Sequence, residues 1–392
     1  MDPNRADAGC EMTTRDAAIV IGPWLDDLVR RHRDRRPQRF KPLGRIPALA
    51  AAALGLLWAG EAVAHIKWFA PYDLDKPPTP IAEVISRDFI YLFLLSTMCV
   101  YAFFWIDRLV YRQKFFAERL GRLTISQDMA FLVMRVATSI LFSALFIYDL
   151  TDRSFYLTPE LLTHDPAIKW IHLLIAISVW YRPTAILAGI GILILYVLAV
   201  RAHGMYHLLD YPIFVGIGVY FALANFGKSL WVTLRYVTLY ATTGITILWG
   251  SFEKWGYPNW TYPLLEKTEW LLMGMSPQFY MILAGFVEFN IGFILLSSAS
   301  IFSRLIAFGL AALFFLAVFE FGIIDAIGHL MIMTVLGLLT VRGPTDARYF
   351  LVLSDKSLWT EAYFMTGLYM LALNIMFLAY YGLYYLLQHP AG

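Results

Sequence analysis

The sequence predicts an all-α protein, a polytopic transmembrane helix bundle of ten or eleven spans. Three observations predict it. Apolar residues fill 59% of the 392 positions and charged residues 15%, against roughly 25% charged in a soluble domain. The apolar residues come in runs of about 17 to 25, the length that crosses roughly 30 Å of hydrocarbon at 1.5 Å per residue. The cationic residues are concentrated in alternate loops, as the positive-inside rule requires.

The runs lie near 46–66, 89–106, 129–149, 167–181, 184–201, 211–227, 236–252, 278–298, 304–323, 325–341 and 362–387. The tail 1–45 precedes them and is basic. Within it Trp24, Leu25, Leu28 and Val29 share a helical face ahead of Arg30-Arg31-His32-Arg33. Phe115, Phe116, Leu120 and Leu123 alternate with Lys114, Arg119 and Arg122 after the second run. Both stretches suit helices lying on an anionic leaflet. A solvated basic tail that only enforces topology is the plainer reading. The fourth run is short, and Trp180-Tyr181-Arg182-Pro183 closes it with an interfacial belt and a breaker, so it reads as a span or as a re-entrant segment. The link near Ile323 to Ala326 leaves little room for a loop.

With the N-terminus in the cytoplasm, 22 Lys and Arg fall on the inner side and 7 on the outer. That bias predicts a multi-pass protein of the inner (plasma) membrane with a cytoplasmic N-terminus. Ala62-Val63-Ala64 resembles a signal-cleavage site. The long preceding tail argues against cleavage. Cys10 and Cys99 lie in a polar tail and an apolar run, so a disulfide is not expected. The lipid bilayer is the expected partner. Nucleic acid is not, because topology accounts for the basic tail.

Two halves of the chain echo each other. Leu57-Trp58-Ala59-Gly60-Glu61 resembles Leu248-Trp249-Gly250-Ser251-Phe252-Glu253. Leu198-Ala199-Val200 followed by His207 resembles Leu316-Ala317-Val318 followed by Asp325. The echo suggests a tandem duplication of a smaller unit.

Ionisable residues at membrane depth are costly and therefore candidates for function. On the predicted topology nearly all lie toward the outer face. Glu61 and His65 are one turn apart. His203, His207 and Asp210 form one stripe if the helix persists that far. Asp325 and His329 repeat the one-turn pair, with Glu320 before them. Glu253 and Lys254 end the seventh run, Glu288 lies midway along the eighth, and His172 one turn into the fourth. Imidazole with carboxylate suits copper, iron or zinc. Glu61, His65, His203, His207, Asp325 and His329 are the candidate metal ligands or proton-transfer groups, with Glu253 and Glu288 as relay carboxylates. Pairing between helices is the competing reading. The outer stretch from Glu253 to Pro277 carries Trp255, Tyr257, Trp260, Tyr262 and Trp270. It reads as an aromatic belt or as the cap of a lipid or quinone pocket.

From about Arg235 to Gly343 the sequence resembles the DoxX-like family of small four-helix membrane proteins. The resemblance rests on Gly250-Ser251-Phe252-Glu253-Lys254 ending one span, the aromatic and proline-rich loop, Glu288 and Gly292 in the next span, Arg304 opening the third, and Asp325 with Gly328-His329 opening a fourth that closes at Arg342-Gly343-Pro344. It covers a little over a quarter of the chain. It implies a four-helix unit over 235–343 and an association with quinone-linked or thiol-linked redox chemistry, with Lys254 and Glu288 as cofactor-binding positions beside His329. The chain departs from that family in its length, with a bundle over 46–227 before the matching region and a linker with a final helix over 344–392.

The one-sided clustering points to a membrane subunit of a redox or metal-handling system, holding a transition metal or a quinone and partnered by other membrane or periplasmic redox subunits. A small-solute or ion transporter is the rival, and predicts a continuous polar path to a vestibule near Arg135. A non-catalytic assembly subunit is the third reading, and predicts polar pairs that satisfy one another.

Overall fold

The computed structural model describes residues 66–68, 72–73, 76–113, 124–151, 154–227, 229–343, 351–353 and 356–388. The expected first span, the basic tail, the Phe115 stretch, Glu61 and His65 lie outside the described residues.

Among the described residues ten main helices follow one another: α1 (Arg87–Tyr111), α2 (Gln127–Asp149), α3 (Ile168–Ser178), α4 (Ala185–His203), α5 (Pro212–Ala222), α6 (Ser229–Gly256), α7 (Pro277–Ser297), α8 (Phe302–Phe321), α9 (Ile323–Arg342) and α10 (Leu358–Gln388). Local chemistry starts them where expected. Ser86, Ser126 and Ser276 cap α1, α2 and α7, accepting from the N–H of Phe89, Met129 and Phe279 at 3.3, 3.1 and 3.3 Å. Pro277 opens α7, where its missing N–H costs nothing. The tight link between α8 and α9 is one residue, Gly322.

Seven helices among the described residues are long and apolar enough to cross a membrane. The chain is a multi-pass membrane protein, and Met98, Leu316, Phe319 and Leu378 are exposed on its sides as lipid contact requires. Two expected spans are shorter than predicted. α3 and α5 each hold 11 residues, about 17 Å of helix; α3 stops ahead of Trp180-Tyr181-Arg182-Pro183, and α5 starts at Pro212 as expected but stops at Ala222, short of the expected 227. α6 is long but richer in Thr, Tyr and Trp. It needs less apolar surface, because it packs on α5, α7, α9 and α10.

Successive helices from α2 to α7 pack pairwise, α7 continues to α1 and α1 to α10, while α9 packs on α2, α6 and α8. The four helices α6 to α9 close on one another, with α6 against α7, α7 against α8, α8 against α9 and α9 against α6.

One end of the bundle is tied by buried charge. Asp107, at the end of α1, accepts from Arg108 at 2.7 Å, from Ser298 and Ser300 hydroxyls at 2.6 and 2.5 Å, and from the Ala299 and Ser300 N–H groups at 3.3 Å. Arg112 donates to Glu361 of α10 at 2.5 Å. Arg304 of α8 donates to the last carbonyls of α9 at Thr340, Val341 and Arg342, groups that a helix end leaves unpaired. The expectation that ionisable groups would gather toward one face needs correction. Asp107, Arg108 and Glu361 are as deeply buried at this end as the cluster at the other. Asp107 ends its run beside Arg108, where the two read as a loop boundary.

Candidate functional site

The opposite end is closed by a small β-hairpin that the apolar pattern does not announce. β1 (Ser154–Phe155) pairs antiparallel with β2 (Leu162–Thr163), Ser154 opposite Thr163 and Phe155 opposite Leu162. The tip between them buries Leu157 and Leu161 completely and carries Glu160 inward with them. A carboxylate from an extramembrane loop thereby enters the bundle.

Glu160 meets His207, its Oε1 lying 2.7 Å from His207 Nε2. The continuous stripe expected for His203, His207 and Asp210 does not form. α4 stops at Gly204, whose φ of +85° is a backbone setting that glycine alone adopts cheaply. A short turn, Met205–Leu208, follows in a new direction. His203 stays at the rim, its Nε2 2.9 Å from the Leu162 carbonyl. His207 and Asp210 turn inward and are buried.

Lys67 completes the cluster. Its ammonium forms ion pairs with Asp210 and with Glu253 of α6, and lies 5.8 and 5.4 Å from the centres of the Tyr72 and Trp260 rings. Ligand atoms of Glu160, His207 and Asp210 all fall within 4.8 Å of one another. Asp210 Oδ1 is buried without a hydrogen-bonding partner among the described residues. Burial works against the Lys67 ammonium, but the charges of Asp210, Glu253 and Glu160 outweigh it and hold its pKa above the ordinary value. Burial and the neighbouring Glu253 push the Asp210 carboxyl well up, although Lys67 opposes them. Burial and Glu160 push the Tyr72 phenol up to about 12.

These residues carry an imbalance of charge. Among the described residues three carboxylates, Glu160, Asp210 and Glu253, face the Lys67 ammonium, with the His207 imidazole beside them. Buried charge of that kind is costly unless it is balanced. Two bound protons balance it, and so does one divalent cation. A histidine nitrogen with carboxylate oxygens is a donor set for zinc or iron.

A cavity of about 90 Å³ adjoins the cluster, walled by α5, α6, α7, α8 and α9. Glu253 faces both. Lys254 and Glu288 line it and form an ion pair with each other. His329 lines it too, its ring stacked on Phe314 with centres 4.4 Å apart and tilted against Trp68 at 4.7 Å. Trp68 lies so close over Gly328 that a β-carbon there would sit 2.0 Å from the indole. Asp325 stands behind, its Oδ1 3.0 Å from His329 Nδ1.

The structure thus sorts the predicted residues. His207 joins a three-ligand group. His329, Lys254 and Glu288 share the cavity, with Asp325 paired to His329. His203 lies at the rim, and Glu61 and His65 are outside the described residues. His172 pairs with Asp149 at 2.6 Å and with the Tyr156 carbonyl at 3.0 Å, below the hairpin. Sequence reasoning missed Glu160 and gave Lys67 no role beyond topology. The available signal for Glu160 was a single acid among Leu157, Leu161 and Leu162.

No family model, curated protein or solved structure matches the chain.

Proposed function

We propose that the chain is the membrane subunit of a redox or metal-handling system, with Glu160, His207 and Asp210 as the ligands of a divalent transition metal. The observation that carries this reading is the excess of buried carboxylate over buried cation in the cluster, with an Asp210 oxygen that has no hydrogen-bonding partner among the described residues. A bound metal would supply a Lewis acid or a one-electron centre. The protein's own contributions follow from the geometry. Lys67 holds Asp210 and Glu253 in place. The hairpin covers the ligands from water. Tyr211, Trp260 and Phe314 give the cavity flat apolar walls, and Lys254 and His329 give it donors, a combination that suits a planar carbonyl-bearing molecule such as a quinone head group. The DoxX-like resemblance over 235–343 supports the same assignment of Lys254, Glu288 and His329. The Lys and Arg distribution supports an inner-membrane location with the N-terminus in the cytoplasm and the cluster on the outer side.

The test is metal content and an optical spectrum on detergent-purified protein, beside Glu160→Gln and His207→Gln variants. About one metal per chain, lost in both folded variants, supports the reading. A folded protein without metal rejects it.

A second reading has its own observation. Asp149 with His172, Lys254 with Glu288, and Asp107 with Arg108 are each paired within the chain. An assembly subunit needs no more than that, and its loss lowers the abundance of a partner complex. The transporter reading is weaker. The polar lining of the cavity ends near Glu288 and His329, and at the far end the Asp107 carboxylate is held by hydrogen bonds from Arg108, Ser298 and Ser300.

A further inference from the structure

The end of the bundle away from Lys67 gathers arginines as well as ion pairs. Arg235, near the start of α6, is 5% exposed. Its Nε and Nη2 are buried with no hydrogen-bonding partner among the described residues. These two nitrogens form one edge of the guanidinium, the edge that offers two parallel N–H bonds to a phosphate or carboxylate. The cation is held over the Tyr220 ring at 4.4 Å and the Phe131 ring at 5.2 Å. Two further guanidinium groups lie 5.6 Å from the Phe131 ring centre, those of Arg135 and Arg182. None of the three is therefore more than about 11 Å from another, twice the longer distance. Arg342 sits over the neighbouring Tyr236 at 4.1 Å. Among the described residues a single carboxylate answers these cations, the exposed Asp128 at 3.5 Å from Arg182.

An unpaired buried guanidinium is costly, and ring faces offset only part of that cost. The balancing group must be an anion with several acceptor oxygens. The neighbouring surface says what carries it. An apolar groove of about 690 Å³ runs between α3 and α4, lined by Leu174, Ile177, Trp180, Tyr181 and Leu187. Its Trp180 ring lies 5.8 Å from the Arg135 guanidinium. It follows α3 from Trp170 to Ser178 and reaches the start of α4 at Leu187.

We propose that this end binds the phosphate of an anionic phospholipid on Arg235, with Arg135 and Arg182 at its rim and the acyl chains in the α3–α4 groove. The site is remote from the carboxylate cluster, so it stands or falls separately from the metal reading.

The test uses the full chain purified from membranes in mild detergent, with retained phospholipid measured by native mass spectrometry. Phosphatidylglycerol and inorganic phosphate are then added back to delipidated protein while the melting temperature is followed. Wild type retains phospholipid, and Arg235→Gln binds phosphatidylglycerol about tenfold more weakly, the loss expected for one charge-assisted bidentate contact. Should that variant fail to fold, Arg182→Gln, a substitution at an exposed site, reports the same loss at about threefold. Stabilisation by inorganic phosphate with no retained lipid overturns the lipid assignment in favour of a soluble anion. Retention and melting unchanged in folded Arg235→Gln overturn the site altogether.

Discussion

Glu160 and His207 stand 47 positions apart in sequence and 2.7 Å apart in the folded chain. One comes from a hairpin outside the spans and the other from a turn after a broken helix. Their meeting assembles a buried group with more negative charge than its single lysine balances, and the sharpest expectations follow from that imbalance.

Lys67 is the residue the cluster tolerates losing least. Lys67→Met leaves Asp210 and Glu253 buried without their cation, which costs roughly 3–5 kcal/mol. Asp210→Asn removes charge that was in excess and costs less. Thermal unfolding of both variants in one detergent checks the order.

The pH dependence has a definite sign. The Asp210 carboxyl binds its proton more tightly folded than unfolded, because its folded pKa is raised above 3.8. Its contribution is therefore complete below 3.8 and is lost as pH rises toward the raised folded value. Lys67 is raised above 10.5, so its contribution is constant below that point. Stripped of metal by chelator, wild type should lose stability relative to Asp210→Asn as pH rises from the acid side through the raised Asp210 value. Paired melting curves across that range report it, and parallel curves count against the assignment.

Removing metal should act only through the three ligands. A chelator lowers the melting temperature of a protein whose folded state binds metal, by mass action. The shift should appear in wild type and vanish in Glu160→Gln. An equal shift in both points to binding elsewhere.

Gly328→Ala probes the cavity cover. The added carbon meets the Trp68 indole at 2.0 Å, so Trp68 must move off His329. Overpacking of this kind costs about 1–3 kcal/mol. Tryptophan fluorescence should change with it.

Asp107→Asn separates structure from site. It weakens five contacts at the far end and should destabilise by roughly 3–5 kcal/mol. Metal content per folded chain should stay the same.

The helices were legible because lipid imposes a length and a composition that a sequence must display. The ends of α1, α2 and α7 were also signalled, by serine caps. The clustering of His207, Asp210 and Glu253 at one end could be read from their positions at the ends of apolar runs. Glu160 could not, because no helical period ties a hairpin tip to a turn 47 positions on. Lys67 was hidden for another reason. Near a span end a lysine reads as a topology signal, and only tertiary packing shows that it is buried at 5% exposure. Arg235 was hidden in the same way.

The hairpin also bears on how such a protein is made. A carboxylate carried in the middle of a spanning helix is charged about 2.5–3.5 kcal/mol on entering the bilayer. Glu160 travels in no such helix. Its carboxylate is carried on the hairpin, beside the buried Leu157 and Leu161. The helices on either side of the hairpin are thereby relieved of that charge when they enter the bilayer.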